Sequence, residues 1–129
     1  MADDIHHELA VTFLTAIEEE DWACLHRVCA PGLLIWHNVD REDKIFFDYL
    51  PFLVNVRRRA ANWKYRETAY WEVRNRFFRQ SLLDARSADG VDLTIATCII
   101  GEVEAGRITR IDEYYNFADI APLLDASGS

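Results

Sequence analysis

Positive charge, cysteine and long apolar runs are all scarce in this chain. Lys and Arg number 14 against 22 Asp and Glu, a net charge of −8 over 129 residues. Phosphate backbones and anionic membrane surfaces are repelled by such a balance unless bases gather on one face, so neither nucleic acid nor membrane is expected as a partner. A binder of small or neutral molecules fits better. Three cysteines, an odd number with no charged-then-apolar leader before them, point to free thiols in a reducing compartment. No apolar run approaches the ~18 residues of a membrane span. The expectation is a cytoplasmic protein whose mature form is the whole chain. Repeats and low-complexity linkers are missing too, and only the closing "DASGS" looks frayed. What is present is half hydrophobic and 12% aromatic, enough for one core, so residues 1–129 read as a single domain.

The periodicity divides that domain. Ile5, Leu9, Phe13 and Ile17 recur at four-residue spacing, which predicts an amphipathic helix over 4–20 with Asp3 or Asp4 as its cap. Asp21 caps a second, shorter helix, "WACLHRVCA", which Pro31 and Gly32 stop. The strand "LLIWHN" follows. Asp40 and Asp43 offer caps for a helix over "KIFFDYLPFLVNVRRRAANW", which Pro51 should kink or divide. From about Lys64 the period changes. The aromatic and β-branched stretch "YRETAYWEVRNRFFRQSLLDARS", the turn "ADG", the strand "VDLTIATCIIGEV", the turn "EAG" and the strand "RITRIDEYYNF" succeed one another, with "ADIAPLLD" as a closing helical turn. Helices, one strand, a helix and then antiparallel strands make an α+β fold: a curved, mainly antiparallel sheet with helices on one face.

The opening helix into "AIEEEDWACL", the "IWHNV" after "APG", and above all "GRITRIDEYYN" together resemble the SnoaL-like branch of the nuclear transport factor 2-like superfamily. The likeness covers nearly the whole chain. It implies a cone in which N-terminal helices pack on the concave face of the sheet and enclose an apolar pocket, a shape that has hosted isomerases, cyclases, dehydratases, epoxide hydrolases and non-catalytic binders. It also implies a homodimer formed through the outer sheet face.

Three chemistries follow from that resemblance. Ketosteroid isomerases, which share the fold, use an aspartate base with a tyrosine and a protonated aspartic acid as oxyanion donors. Those positions fall here on Asn38, Phe13 and, on or near it, Cys98. An amide cannot take a proton from carbon, and a phenyl ring cannot donate a hydrogen bond. Limonene epoxide hydrolases resemble the chain in an aromatic and an asparagine two apart on the first strand and a carboxylate on the last, matched by Trp36, Asn38 and Glu113. The Arg-x-Asp that they also require falls on Gln80 and Leu82, with Arg79 and Asp84 nearby but out of register. SnoaL-like cyclases need only an acid or base on the last strand and polar groups that orient an enolisable substrate. Glu113 would be that acid or base, with Asn38 and Gln80 as neutral donors and Asp112 as the rival carboxylate should a bulge exchange the two.

The expected site is therefore catalytic Glu113, Asn38 and Gln80, with Trp36, Phe13, Cys98, Tyr115 and Asp112 against the substrate. No cofactor and no metal are expected. Alternation puts Leu34, Trp36 and Asn38 on one face of their strand and Leu33, Ile35 and His37 on the other, and the first set is expected in the pocket. Plainer roles exist for most of these residues. Trp36 could be a core aromatic, Asn38 a turn residue, Gln80 a solvated strand residue, Glu113 an edge acid paired with Arg107 or Arg110, and His37 a structural histidine. His26 between Cys24 and Cys29 lacks metal-ligand spacing. "RRRAANWKYR" reads as the basic end of a helix. The leading functional reading is a cofactor-independent isomerase, cyclase or lyase that moves a proton on an apolar carbonyl-type substrate. Epoxide hydrolysis and a non-catalytic ligand-binding or dimerisation module are the alternatives.

Overall fold

The computed structural model describes residues 4–124, so the expected fraying of "DASGS" and the cap at Asp3 lie outside the described residues. Among these described residues four helices and six strands follow one another: α1 (His7–Glu18), α2 (Trp22–Val28), β1 (Cys29–His37), β2 (Asp43–Ile45), α3 (Phe46–Arg59), β3 (Ala61–Val73), β4 (Arg76–Arg86), β5 (Asp92–Glu104), β6 (Arg107–Tyr115) and α4 (Phe117–Leu124). The strands form one curved sheet in the order β2-β1-β6-β5-β4-β3, in which only the β1–β6 pair is parallel. This is the α+β architecture expected, with helices packed on the concave face.

Each helix is placed by its apolar stripe. Ala10, Phe13, Leu14 and Ile17 of α1 are buried at i, i+3, i+4 and i+7, and burying a phenylalanine or leucine side chain is worth about 1.5–3 kcal/mol. Asp21 caps α2 as expected, its carboxylate accepting from the Cys24 N–H at 3.2 Å. Arg57, from the basic run, joins α3 to α1: it donates to the Ile17 carbonyl at 3.1 Å and to the Glu18 carbonyl at 2.6 Å. Carbonyls of a helix's last turn lack i+4 partners, and the Ile17 carbonyl accepts from the Glu20 N–H as well, at 3.2 Å.

The structure corrects several boundaries. Helix α1 is shorter than 4–20, and β1 begins at Cys29 and runs through Pro31 and Gly32, because Pro31 falls in the irregular stretch between Cys29 and Leu34 where the β1–β6 register slips and a missing N–H interrupts no regular pairing. Helix α3 stays a single helix with Pro51 inside it and ends at Arg59, so Trp63 belongs to β3. The aromatic stretch after Lys64 is a hairpin, β3 with β4, turning at Arg74, whose φ of 57° is the left-handed backbone of a tight turn. The short strand β2 was not anticipated.

Two irregularities set which residues face inward. Between Glu67 and Ala69 the β3–β4 register slips, so Thr68 is an extra residue; between Val103 and Glu102 the β5–β6 register slips, so Thr109 is another. After that second bulge Ile111, Glu113 and Tyr115 point to the concave side. Gly101 is required by packing. A Cβ there would lie 2.2 Å from Cζ of fully buried Phe77, whose ring occupies that space.

Candidate functional site

The concave face of the sheet, α1, α3 and α4 enclose an apolar cavity of about 80 Å³. Its walls include Phe13 and Ile17 of α1, Ile35 of β1, Phe46 of α3 and Ile99 of β5. Phe52 lines it while remaining half exposed, which marks the mouth, and Ile120 and Leu124 of α4 complete the wall. Among the described residues Glu113 supplies the sole carboxylate of this lining, and the remaining polar tips are Tyr49, Tyr65, Thr97, Tyr115 and the Trp63 indole.

Glu113 is backed by a histidine. Parallel pairing of β1 with β6 sets His37 beside Glu113, and their side chains emerge together: His37 Nε2 is 3.1 Å from Glu113 Oε1. His37 is 4% exposed and is wedged between Tyr49 and Tyr115, with ring centroids 5.2 and 5.9 Å away. Glu113 Oε2 has no hydrogen-bond partner among the described residues. Burial first, and then the Glu113 charge, pushes the phenols of Tyr49 and Tyr65 far above their ordinary range, and the same causes hold Tyr115 up at about 12. All three hydroxyls therefore remain protonated donors at neutral pH. The Trp63 indole N–H is buried with no hydrogen-bond partner among the described residues.

Glu113, Phe13 and Tyr115 line this cavity. The other expected residues do not. Alternation along β1 puts Leu33, Ile35 and His37 on the concave side and leaves Trp36 on the convex side against Tyr114, at 5.3 Å between centroids. The two sets were divided correctly and assigned to the wrong faces, because the helices cover the set that buries most completely. Asn38 spends its amide on the neighbouring strand: Nδ2 donates to the Tyr115 carbonyl at 3.1 Å and Oδ1 accepts from the Tyr115 N–H at 3.0 Å, extending the β1–β6 ladder by one step. Gln80 and Cys98 are paired across β4 and β5 and share an open convex depression with Asn38 and Tyr114. Asp112 points outward to Arg110 at 2.9 Å.

Arg79 and Ser81 occupy the concave positions of β4, so the inward register is one residue away from Gln80 and Leu82. Asp84 faces outward, paired with Arg66. Burial raises the Cys98 thiol, and burial followed by Cys24 pushes Cys29 up to about 12, which keeps both as thiols. Among the described residues no three His, Cys, Asp or Glu side chains group to hold a metal, and no helix is long and apolar enough to cross a membrane.

The residue that sequence reasoning undervalued is His37. Its signal was available: it shares a face with Leu33 and Ile35, the most apolar pair of the strand, and a histidine placed there is buried against whatever carboxylate the neighbouring strand supplies.

No protein-family model matches the chain, and no curated protein matches it. Solved structures do. IdmH of Streptomyces antibioticus, named as a candidate polyketide cyclase, superposes with a TM-score of 0.80 at 10% identity over 92% of this chain and 96% of that one. An LEH-like epoxide hydrolase of M. tuberculosis gives 0.72 at 17% identity, over 91% and 86%. An NTF2-like protein of unknown function from Burkholderia pseudomallei K96243 gives 0.79 at 14% identity, over 97% and 99%. The fold is the SnoaL-like, NTF2-like cone. The likeness is one of fold, and the chemistry of such a cone is decided by the side chains within it.

Proposed function

We propose that the protein is a cofactor-independent enzyme of the isomerase, cyclase or lyase type, with Glu113 as the acid/base for an apolar carbonyl-type substrate. The observation that carries this reading is a carboxylate, the one among the described lining residues, held by buried His37 at 3.1 Å in a largely apolar cavity with protonated phenols around it. Glu113 removes a proton from the carbon next to the carbonyl; the C–H electron pair moves into the C–C bond and the carbonyl π pair onto oxygen. The enolate oxygen takes hydrogen bonds from the phenols of Tyr49, Tyr65 or Tyr115, the groups that replace Asn38 and Gln80 as neutral donors. Glu113 then returns the proton to another carbon, for isomerisation; to the alkoxide oxygen left when the enolate carbon bonds to a second carbonyl carbon, for ring closure; or to a departing β-oxygen as its C–O bond breaks, for elimination. His37 is a positioning residue that fixes the carboxylate's rotamer and leaves Oε2 for the substrate.

Deuterium exchange at the α-carbon of small cyclic ketones in D₂O tests this reading, because it detects enolisation before the natural substrate is known. Wild-type protein should accelerate exchange for at least one ketone, and Glu113→Gln should abolish it. A Gln variant with full exchange overturns the assignment.

A second reading, a non-catalytic binding module, is favoured by the narrowness of the cavity, about 80 Å³. Epoxide hydrolysis is supported by the inward face of Arg79 and opposed by Ser81, a hydroxyl where that chemistry needs a carboxylate. The convex face presents Trp71 and Tyr114, each 43% exposed, beside Trp36 and Phe78, a surface that suits a second copy of the chain. Light scattering across a dilution series checks that pairing.

A further inference from the structure

Beside the cavity, on the same concave side, a cleft of about 290 Å³ opens between α1 and the β3–β4 hairpin. Its charged and titratable side groups are His7, Glu18, Lys64, Glu67 and Arg79, with Thr15 and Tyr65 also on its wall. Leu14 and Tyr65 line both spaces, so two side chains form the wall between them. Apart from the shared Tyr65, no group of this cleft takes part in the proton-transfer chemistry above.

Arg79 is the unusual member. It is 5% exposed, on a sheet face otherwise given to the core. Its Nε donates to Ser81 Oγ at 2.8 Å and its Nη1 lies 3.3 Å from Glu67 Oε1. That one oxygen is shared, because His7 Nε2 sits closer to it, at 2.8 Å. Nη2 makes no hydrogen bond to the described residues. A guanidinium matches a carboxylate best through two parallel N–H groups, and here the protein supplies a single, long, shared contact to a desolvated cation. Lys64 adds a second cation at the outer rim, its Nζ 3.8 Å from Glu18 and its side chain largely exposed.

We infer that this cleft is a carboxylate-binding subsite of the cavity, so that the ligand is an apolar acid whose hydrophobic body fills the cavity and whose carboxylate reaches Arg79 past Leu14 and Tyr65. The inference rests on the cavity being a ligand site, as proposed above. Glu67 does not block it, since His7 holds that carboxylate when Arg79 turns to the ligand. The competing account, in which Arg79 and Glu67 only brace β3 against β4, predicts a change in stability and none in ligand preference.

Calorimetric titration of the full chain with 3-phenylpropionate, 4-phenylbutyrate and 5-phenylvalerate, each beside its methyl ester, tests the subsite at neutral pH. At least one acid should bind tenfold or more tightly than its ester. The double variant Arg79→Met, Glu67→Gln strands neither charge; it should bring that ratio to about one and keep the ester affinity. Should it fail to fold, Arg79→Lys, which keeps the charge and loses the fork, should lower the ratio several-fold. Equal binding of acids and esters by the wild type, or a preference that survives loss of Arg79, overturns the subsite and leaves the cavity reading standing. Acetate bound as tightly as the phenylalkanoates, and dependent on Arg79, makes the cleft a free-anion site and overturns its link to the cavity. Binding of no acid or ester overturns the subsite and the cavity reading together.

Discussion

The two faces of the β1–β6 pair carry nearly the same inventory. The concave face has His37, Glu113 and Tyr115, and the convex face has Trp36, Asn38, Asp112 and Tyr114. Their availability differs. On the convex side Asn38 is spent on the Tyr115 backbone and Asp112 on Arg110, whereas Glu113 keeps one oxygen without a partner among the described residues. A polar side chain offers chemistry when its hydrogen-bonding capacity is unspent and the space before it is enclosed; residue type alone selects neither.

The largest expected effect sharpens that contrast directly. Glu113→Gln should lower any turnover by about 10²–10⁴-fold, the usual share of a general base. Asp112→Asn, one residue away on the opposite face, should leave turnover unchanged; a loss with Asp112 in place of Glu113 would reverse the face assignment. Next comes the concave packing. Gly101→Ala forces the Phe77 ring to move and should destabilise the fold by about 1–3 kcal/mol in urea unfolding.

Asn38→Ala removes two bonds to the backbone of β6 and should cost about 1–3 kcal/mol, with turnover per folded molecule kept. Loss of turnover without loss of stability would break the structural reading of Asn38. Gentler still is an acid effect on the convex face. Arg66, and then Thr94, hold the Asp84 carboxyl at about 2, below its ordinary 3.8. A folded-state value lowered in this way stabilises above pH ~4 and is lost as pH falls toward 2. Asp84→Asn should therefore flatten the acid-unfolding curve between those limits. Smallest is Gln80→Ala, expected within about 0.5 kcal/mol of wild type and silent in ligand binding.

Much of this was legible beforehand. The stripe Phe13, Leu14, Ile17 announced α1, Asp21 its neighbour's cap, and the strands from Lys64 onward the sheet. Glu113 and Tyr115 came from a motif resemblance, and both line the cavity. Hidden were His37 as the partner of Glu113, the hairpin turn at Arg74 and the inward register of Arg79. A turn made by Arg74 and Asn75 carries no glycine or proline signal, and so two strands read as one.

Local sequence determined which residues share a face, because a strand alternates and a helix repeats whatever surrounds it. It could not determine which face is inside. That was decided when the helices settled on Leu33, Ile35 and Ile111, when two extra residues at Thr68 and Thr109 shifted the register, and when parallel pairing set His37 against Glu113. Burial and register belong to the assembled sheet, since each depends on residues far away in the chain, and the chemistry of Glu113 depends on both.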